Sequence, residues 1–289
     1  MKTIKNKSTR TFGVEIEFTS THRLSTIGRQ LQEKLATTNI FVHVENYNHN
    51  TRNHWKLVTD SSCGFELVSP ILTGQEGMND LHTIVTALET LNVKVNRNCG
   101  IHVHVGVEDA TSLKIKNLVK YYIKNQKLID SVMPNSRRQN NNSYCRNIEA
   151  YTPQTFKKLN SIHANNKRMN FSDEMSVSGF ANHLSGRYRK LNLQSFRRYR
   201  TVEFRQHSAS LCAKKITTWT AFCLNTVDKT FKMKAVQFAC PSNSQDAFIE
   251  LFGVKQNRKI MKHFEERALH FGFNQFEGSF DKGAAIRRF

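Results

Sequence analysis

The chain has no apolar run approaching the roughly 18 residues needed to cross a bilayer, and no apolar segment follows its basic opening, MKTIKNKSTR. Neither a membrane span nor a cleaved leader is therefore expected. None of its six cysteines forms a Cys-x-x-Cys pair, which excludes a zinc knuckle or a thioredoxin-type motif and points to reduced thiols in the cytoplasm, or in the host cytoplasm were the chain viral. There is no GxxxxGK[ST] loop, no GxGxxG opening a helix and no GxSxG elbow. Any phosphate bound here is not bound by a P-loop. Acidic residues are scarce, 23 against 43 Lys and Arg, leaving a formal net charge of +20. A field of that sign attracts polyanions and anionic substrates, so nucleic acid is one partner class the charge allows.

What is present is enough for a packed core: 289 residues, 38% hydrophobic, with 20 Phe. Residues 11–18 alternate apolar and polar as a half-buried strand does, and 24–37 carry Leu24, Ile27, Leu31 and Leu35 at helical spacing. Residues 41–47, 54–60 and 65–70 read as strands, 77–91 as a helix, and 100–107 as a strongly alternating strand. A further helix is expected over 113–129, with Lys116, Lys120, Lys124 and Lys127 down its solvated side. Residues 134–147 and 160–186 have loop composition. Residues 201–207 form a strand, 213 to about 238 a long helix, and 245–271 two short ones. The segment after 277 reads as a mobile tail. Paired strands mixed with helices favour an α+β fold with a largely antiparallel sheet over a doubly wound parallel one.

Three of these strands carry paired polar residues on one face. Glu15 and Glu17 alternate with Val14, Ile16 and Phe18; His102 and His104 with Ile101, Val103 and Val105; Glu203 and Arg205 with Val202 and Phe204. Residues two apart on a strand point to the same side. One such strand is most simply solvated. Three of them, with Glu66 added, would form a self-repelling acidic face that a hard divalent cation relieves; Mg²⁺ suits the carboxylates, and the histidines admit Mn²⁺ or Zn²⁺.

Several segments in one order carry a resemblance. FGVEIEF, then Trp-x-Leu-Val-x-Asp-Ser from Trp55 to Ser61, then FELVSPIL, NCGIHVHV, MPNSRRQNNNSYC, RYRKLNL and TVEFRQHSASL, with Trp219 beyond them, resemble the amidoligase family of glutamine-synthetase-like carboxylate–amine ligases. One departure is Ser208-Ala209-Ser210-Leu211, where the family more often ends in Gly-Thr-Leu. The resemblance implies a glutamine-synthetase-like catalytic domain over 8–238, with an antiparallel sheet forming an active-site cleft, and a small C-terminal helical extension over 239–289. It implies ATP and Mg²⁺ as cofactors and a ligase that phosphorylates a carboxylate and passes it to an amine. The two substrates would be small molecules, amino acids or peptides, or one of them a modified nucleic acid, as when an amino acid is joined to a modified base. Metal ligands would be Glu15, Glu17, Glu66, His102 and Glu203. Arg187, Lys190, Arg205 and His104 would meet the nucleotide, with Arg205 and Glu203 also catalytic. Asn192, Arg137 and Arg138 would meet substrate, the two arginines as a clamp or lid. Asp60 would bind or deprotonate the amine, unless it is only a turn residue. Two other readings compete: a nucleic-acid-binding protein, supported by net charge and by Arg197, Arg198, Tyr199 and Arg200, and a metal-dependent hydrolase that uses the same histidines and glutamates without ATP.

Overall fold

A computed structural model describes residues 4–184, 186–238, 245–253 and 258–276. It is a mixed α/β structure whose strands are mostly antiparallel. The chain divides into two compact units, one comprising 1–105 and 206–221, the other 106–205 and 222–289. Among the described residues no helix is long and apolar enough to cross a membrane.

The first unit is built on β1 (Thr11–Ser20), whose Phe12, Val14, Ile16 and Phe18 are all buried. The period-two apolar pattern thus becomes one core face, each such side chain contributing about 1.5–3 kcal/mol by leaving water. Helix α1 (Leu24–Lys34) follows, then β2 (Val42–Val44), β3 (Trp55–Asp60), β4 (Gly64–Val68) and the short β5 (Leu72–Thr73). Helix α2 (Gly74–Glu89), β6 (Val93–Lys94) and β7 (Gly100–Gly106) complete the order. Strand β1 pairs antiparallel with β4, β5, β6 and β7, and β2 runs parallel to its neighbour β3. Met78, Leu81, Ile84, Val85 and Leu88 turn one stripe of α2 inward. Helix α1 lies close on β2, where a Cβ at Gly28 would come within 2.4 Å of Val44. Gly64, at φ +113°, closes the β3–β4 hairpin in a conformation other residues rarely adopt.

In the second unit α3 (Ser112–Ser131) is followed by α4 (Pro153–Arg168), α5 (Asp173–His183), β8 (Leu191–Asn192), α6 (Ser195–Tyr199) and β9 (Thr201–Ser208). Helices α7 (Ala213–Phe231), α8 (Gln245–Phe252) and α9 (Arg258–His270) follow. Both β9 and α7 have residues in each unit.

Helices α4 and α5 overturn the expected loop at 160–186. Phe156 and Leu159 are the only large apolar residues α4 buries, so its periodicity is faint. The capping chemistry is nonetheless present: Thr152 accepts from the Thr155 amide at 3.1 Å, with Pro153 in the first turn, and Ser172 accepts from the Met175 amide at 3.2 Å. The missing helices also correct the lysine stripe of α3. Lys120 is buried, its Nζ donating to Asn160 Oδ1 of α4 at 2.6 Å and lying 4.9 Å from the Phe156 ring centre. Burial, with Lys116 adding to it, pulls Lys120 down to about 8. Of the four lysines only Lys127 is exposed, Lys116 and Lys124 being half-buried.

The expected C-terminal helices occur as α8 and α9, and they share the second unit's core through Phe222, Phe248, Phe252 and Phe264. The chain break expected at Pro241 and the tail after 277 lie outside the described residues.

A buried ion pair ties α3 to the strand region: Lys190 Nζ donates to Asp130 Oδ1 at 2.5 Å, and Asp130 Oδ2 accepts from the Gln139 amide at 2.9 Å. Lys190 is 0% exposed. Burial pulls its pKa down, and Asp130 only partly restores it. Asp130→Asn strands that ammonium and is expected to cost about 3–5 kcal/mol in urea unfolding, with Asp130→Leu/Lys190→Met costing clearly less. A negligible loss for the single variant would show that the pair is not buried as described.

Candidate functional site

Strand register brings five of the sequence-predicted residues together in the first unit. Glu15 stands opposite His102 of β7, Glu17 opposite Glu66 of β4, and Gly13 opposite His104. Directly opposed residues share a sheet face, so the acidic pattern of β1 and the histidine pattern of β7 meet side by side. His102 Nδ1 lies 2.9 Å from Glu15 Oε2, and His102 Nε2 lies 3.5 Å from Glu17 Oε1. His104 Nε2 lies 3.4 Å from Glu15 Oε1. Burial pushes the Glu15 carboxyl up, but hydrogen bonds and charge from His102 and His104 outweigh it and hold it well below the ordinary carboxylate value.

The members of this cluster differ in how they are engaged. Glu17 is tied down: its Oε2 accepts from the Gly100 amide at 2.6 Å in a buried position, fixing where β7 begins. Glu15, Glu66 and His102 instead offer one ligand atom each, all within 4.8 Å of one another. Two carboxylates and an imidazole are a donor set that Mg²⁺ tolerates and Mn²⁺ or Zn²⁺ favours. Lys56, which sequence reading passed over, extends the same row, since Lys56 and Glu15 both oppose Val68. Its buried ammonium is caged by Asn50 O at 2.8 Å and by Asn48 O and Oδ1, each at 3.2 Å. Its alternation with the buried Trp55 and Leu57 in β3 was the available signal.

The second unit holds another cluster. Asn192 of β8 stands opposite Glu203 of β9, and its Nδ2 donates to Glu203 Oε2 at 2.6 Å. Asn192 Oδ1 accepts from the Gln194 amide at 2.8 Å, which leaves the side chain in one orientation. Arg205 Nη1 bonds Glu203 Oε1, and Arg205 Nε donates to the Tyr144 carbonyl at 3.4 Å. Arg187 is exposed and donates to the Tyr188 hydroxyl at 2.7 Å.

Other predicted residues sit elsewhere. Lys190 is sealed against Asp130, away from solvent that a nucleotide would occupy. Arg137 is buried, with Nη1 3.8 Å from the Cys145 sulfur. Arg138 donates to the Met133 carbonyl at 2.8 Å and lies 4.8 Å from the Phe273 ring centre. Both arginines face protein, which is not the posture of a clamp or lid. Asp60 ends β3, its Oδ1 accepting from the Ser62 amide, the Ser62 hydroxyl and the Cys63 amide at 2.8, 2.6 and 2.9 Å. That is the turn reading of Asp60. His207, beside the departure from the family ending, is buried with Nδ1 2.6 Å from the Ser208 carbonyl and its ring 5.2 Å from that of Trp219.

The profile of a family described as "putative amidoligase enzyme" matches residues 8–227, a span that contains every residue of both clusters. The chain belongs to this amidoligase family. No curated protein matches it. Membership of an amidoligase family implies a ligase.

Asp60 gives a testable sign in this amidoligase. Burial raises its carboxyl, but the bonds from Ser62 and Cys63 outweigh that and lower it overall. A depressed folded value stabilises the fold above the ordinary Asp value, about 3.9, and the benefit disappears as pH falls through the folded value. Asp60→Ala should therefore unfold earlier than wild type at pH 7, with the gap narrowing toward pH 3 in thermal melts. A gap independent of pH would contradict this.

Proposed function

We propose that this amidoligase is an ATP- and Mg²⁺-dependent ligase that joins a carboxylate to an amine through an acyl phosphate, on a glutamine-synthetase-like catalytic fold. The observation that carries the reading is the convergence of Glu15, Glu66 and His102 within 4.8 Å on one sheet face. A triphosphate and a carboxylate repel each other, and divalent ions on such a donor set neutralise both. Glu15, Glu66 and His102 would hold one ion, with Glu17 keeping His102 in place through its bond to the Gly100 amide. His104 supports Glu15 from its other oxygen.

Glu203 supplies the carboxylate of the second cluster, held by Asn192 and Arg205. The reading gives it a metal or phosphate-facing role. Arg205 places a planar, permanently charged donor where a transferring phosphoryl group gathers charge. In the reaction the substrate carboxylate oxygen attacks the γ-phosphorus and ADP leaves. The neutral amine then attacks the acyl carbon, the C–O bond to phosphate breaks, and the amine proton is released to solvent or base. The carboxylate and amine are small molecules or peptides, and the burial of Lys190 and Arg137, with Arg138 donating to the Met133 carbonyl, supports a structural role for all three rather than contact with either ligand.

Incubation with ATP, Mg²⁺ and pools of carboxylates and amines should release phosphate only when both pools are present. Glu15→Gln and Glu203→Gln should each lower that release by at least about 100-fold, the scale on which loss of a charge-stabilising group acts. Release that needs no ATP would favour the metal-dependent hydrolase instead. Release unaffected by Glu15→Gln would remove Glu15 from the metal site.

A further inference from the structure

Two tyrosines of the second unit stand exposed on a framework that is otherwise tightly paired. Tyr144 is 50% exposed and Tyr188 39%. Their rings meet edge to face, 5.2 Å apart at 89°. The backbone beneath them is fixed: the Arg146 amide donates to the Tyr188 carbonyl at 3.0 Å, the Lys190 amide to the Arg146 carbonyl at 2.8 Å, and the Arg205 amide to the Lys190 carbonyl at 2.9 Å. Three chain segments thus lie side by side, and the third carries Glu203 and Arg205. Cys145, between Tyr144 and Arg146, is buried and anchors that segment.

Cationic groups surround these rings. The Arg187 guanidinium lies 4.9 Å from the Tyr188 centroid and that of Arg205 5.9 Å. Arg205 also donates to the backbone carbonyl of Tyr144 at 3.4 Å. An edge-to-face aromatic pair is normally a core feature. Placed in solvent, it leaves ring area uncovered while its backbone is held rigid, so a ligand can stack without first ordering a loop. Exposed rings interleaved with arginines match a flat aromatic ring that carries phosphate, the chemistry of a nucleotide.

We propose that Tyr144 and Tyr188 form the platform on which the purine of ATP stacks, with Arg187 and Arg205 directed to its phosphates. The assignment rests on the ATP-dependent reading above and adds to it the residues that distinguish a nucleoside triphosphate from bare triphosphate. Tyr144 supplies the more open ring. Tyr188 both contacts the base and orients Arg187 through its hydroxyl.

Calorimetric titrations of the full chain with ATP and, separately, with inorganic tripolyphosphate, both with Mg²⁺, test this. Wild type should bind ATP more tightly than tripolyphosphate. Tyr144→Ala should weaken ATP roughly tenfold, the scale of one lost base–aromatic stack, and leave tripolyphosphate affinity in place, whereas Tyr188→Ala, which also releases Arg187, should weaken ATP clearly more than tripolyphosphate. Retained tripolyphosphate binding also shows that the variants are folded. Tyr144→Phe should keep wild-type ATP affinity. Unchanged ATP affinity in both alanine variants, or parallel loss of ATP and tripolyphosphate, would overturn the platform while leaving ATP use intact. Failure of wild type to bind either ligand would overturn the ATP-dependent reading itself, and the platform with it.

Discussion

Mutual repulsion among Glu15, Glu17 and Glu66 is the constraint from which this site follows. Strand register forces these carboxylates onto one face of one sheet, because the apolar residues between them must face the core. Without compensation, like charges at this spacing would raise each other's pKa and weaken the sheet. Two histidines from the neighbouring strand compensate in part, and a backbone amide takes up Glu17. Lys56, one strand further out, adds a fixed positive charge whose cage of loop carbonyls replaces the water it has lost. The result is a face whose charge is balanced closely enough to fold, with Glu15, Glu66 and His102 each offering one ligand atom within 4.8 Å of the others.

The second unit solves a different problem, that of holding charged groups rigid. Glu203 is buried, yet both its oxygens are engaged, one by Asn192 and one by Arg205. The Asp130–Lys190 pair fixes the segment immediately before β8, and Asn192 follows two residues later. Residues expected to touch ligand are thus divided. Lys190, Arg137 and Arg138 are engaged by protein groups, while Arg187 is exposed and Arg205 is half-buried beside the buried Asn192–Glu203 pair. On the proposed ATP-dependent reading, the positive net charge suits anionic triphosphate and carboxylate substrates.

Most strands of the candidate site were legible from sequence because a period of two is a strong signal when apolar and charged residues alternate without interruption. Glu15, Glu17, His102 and His104 were found that way, and Glu66 through the same alternation. Motif order, not any single motif, identified the family. What stayed hidden had physical reasons. Helices α4 and α5 bury few large apolar side chains, so their periodicity was weak, and only the Thr152 and Ser172 caps marked them. Missing those helices made the α3 lysines look solvated. Burial of Lys190 depends on Asp130, sixty residues away, which no local pattern records. The tyrosine pair was passed over because each residue lies in a loop-like stretch, and their proximity arises only through backbone pairing between distant segments.

Metal binding at the first-unit face is the claim on which the account stands, and anomalous diffraction from crystals grown with Mn²⁺ tests it most directly. The account predicts an anomalous peak among Glu15, Glu66 and His102, at about the 2.0–2.2 Å coordination distance expected of donors of this kind. Crystals that bind Mn²⁺ only at other surface carboxylates, with His102 still bridging Glu15 and Glu17, would contradict it.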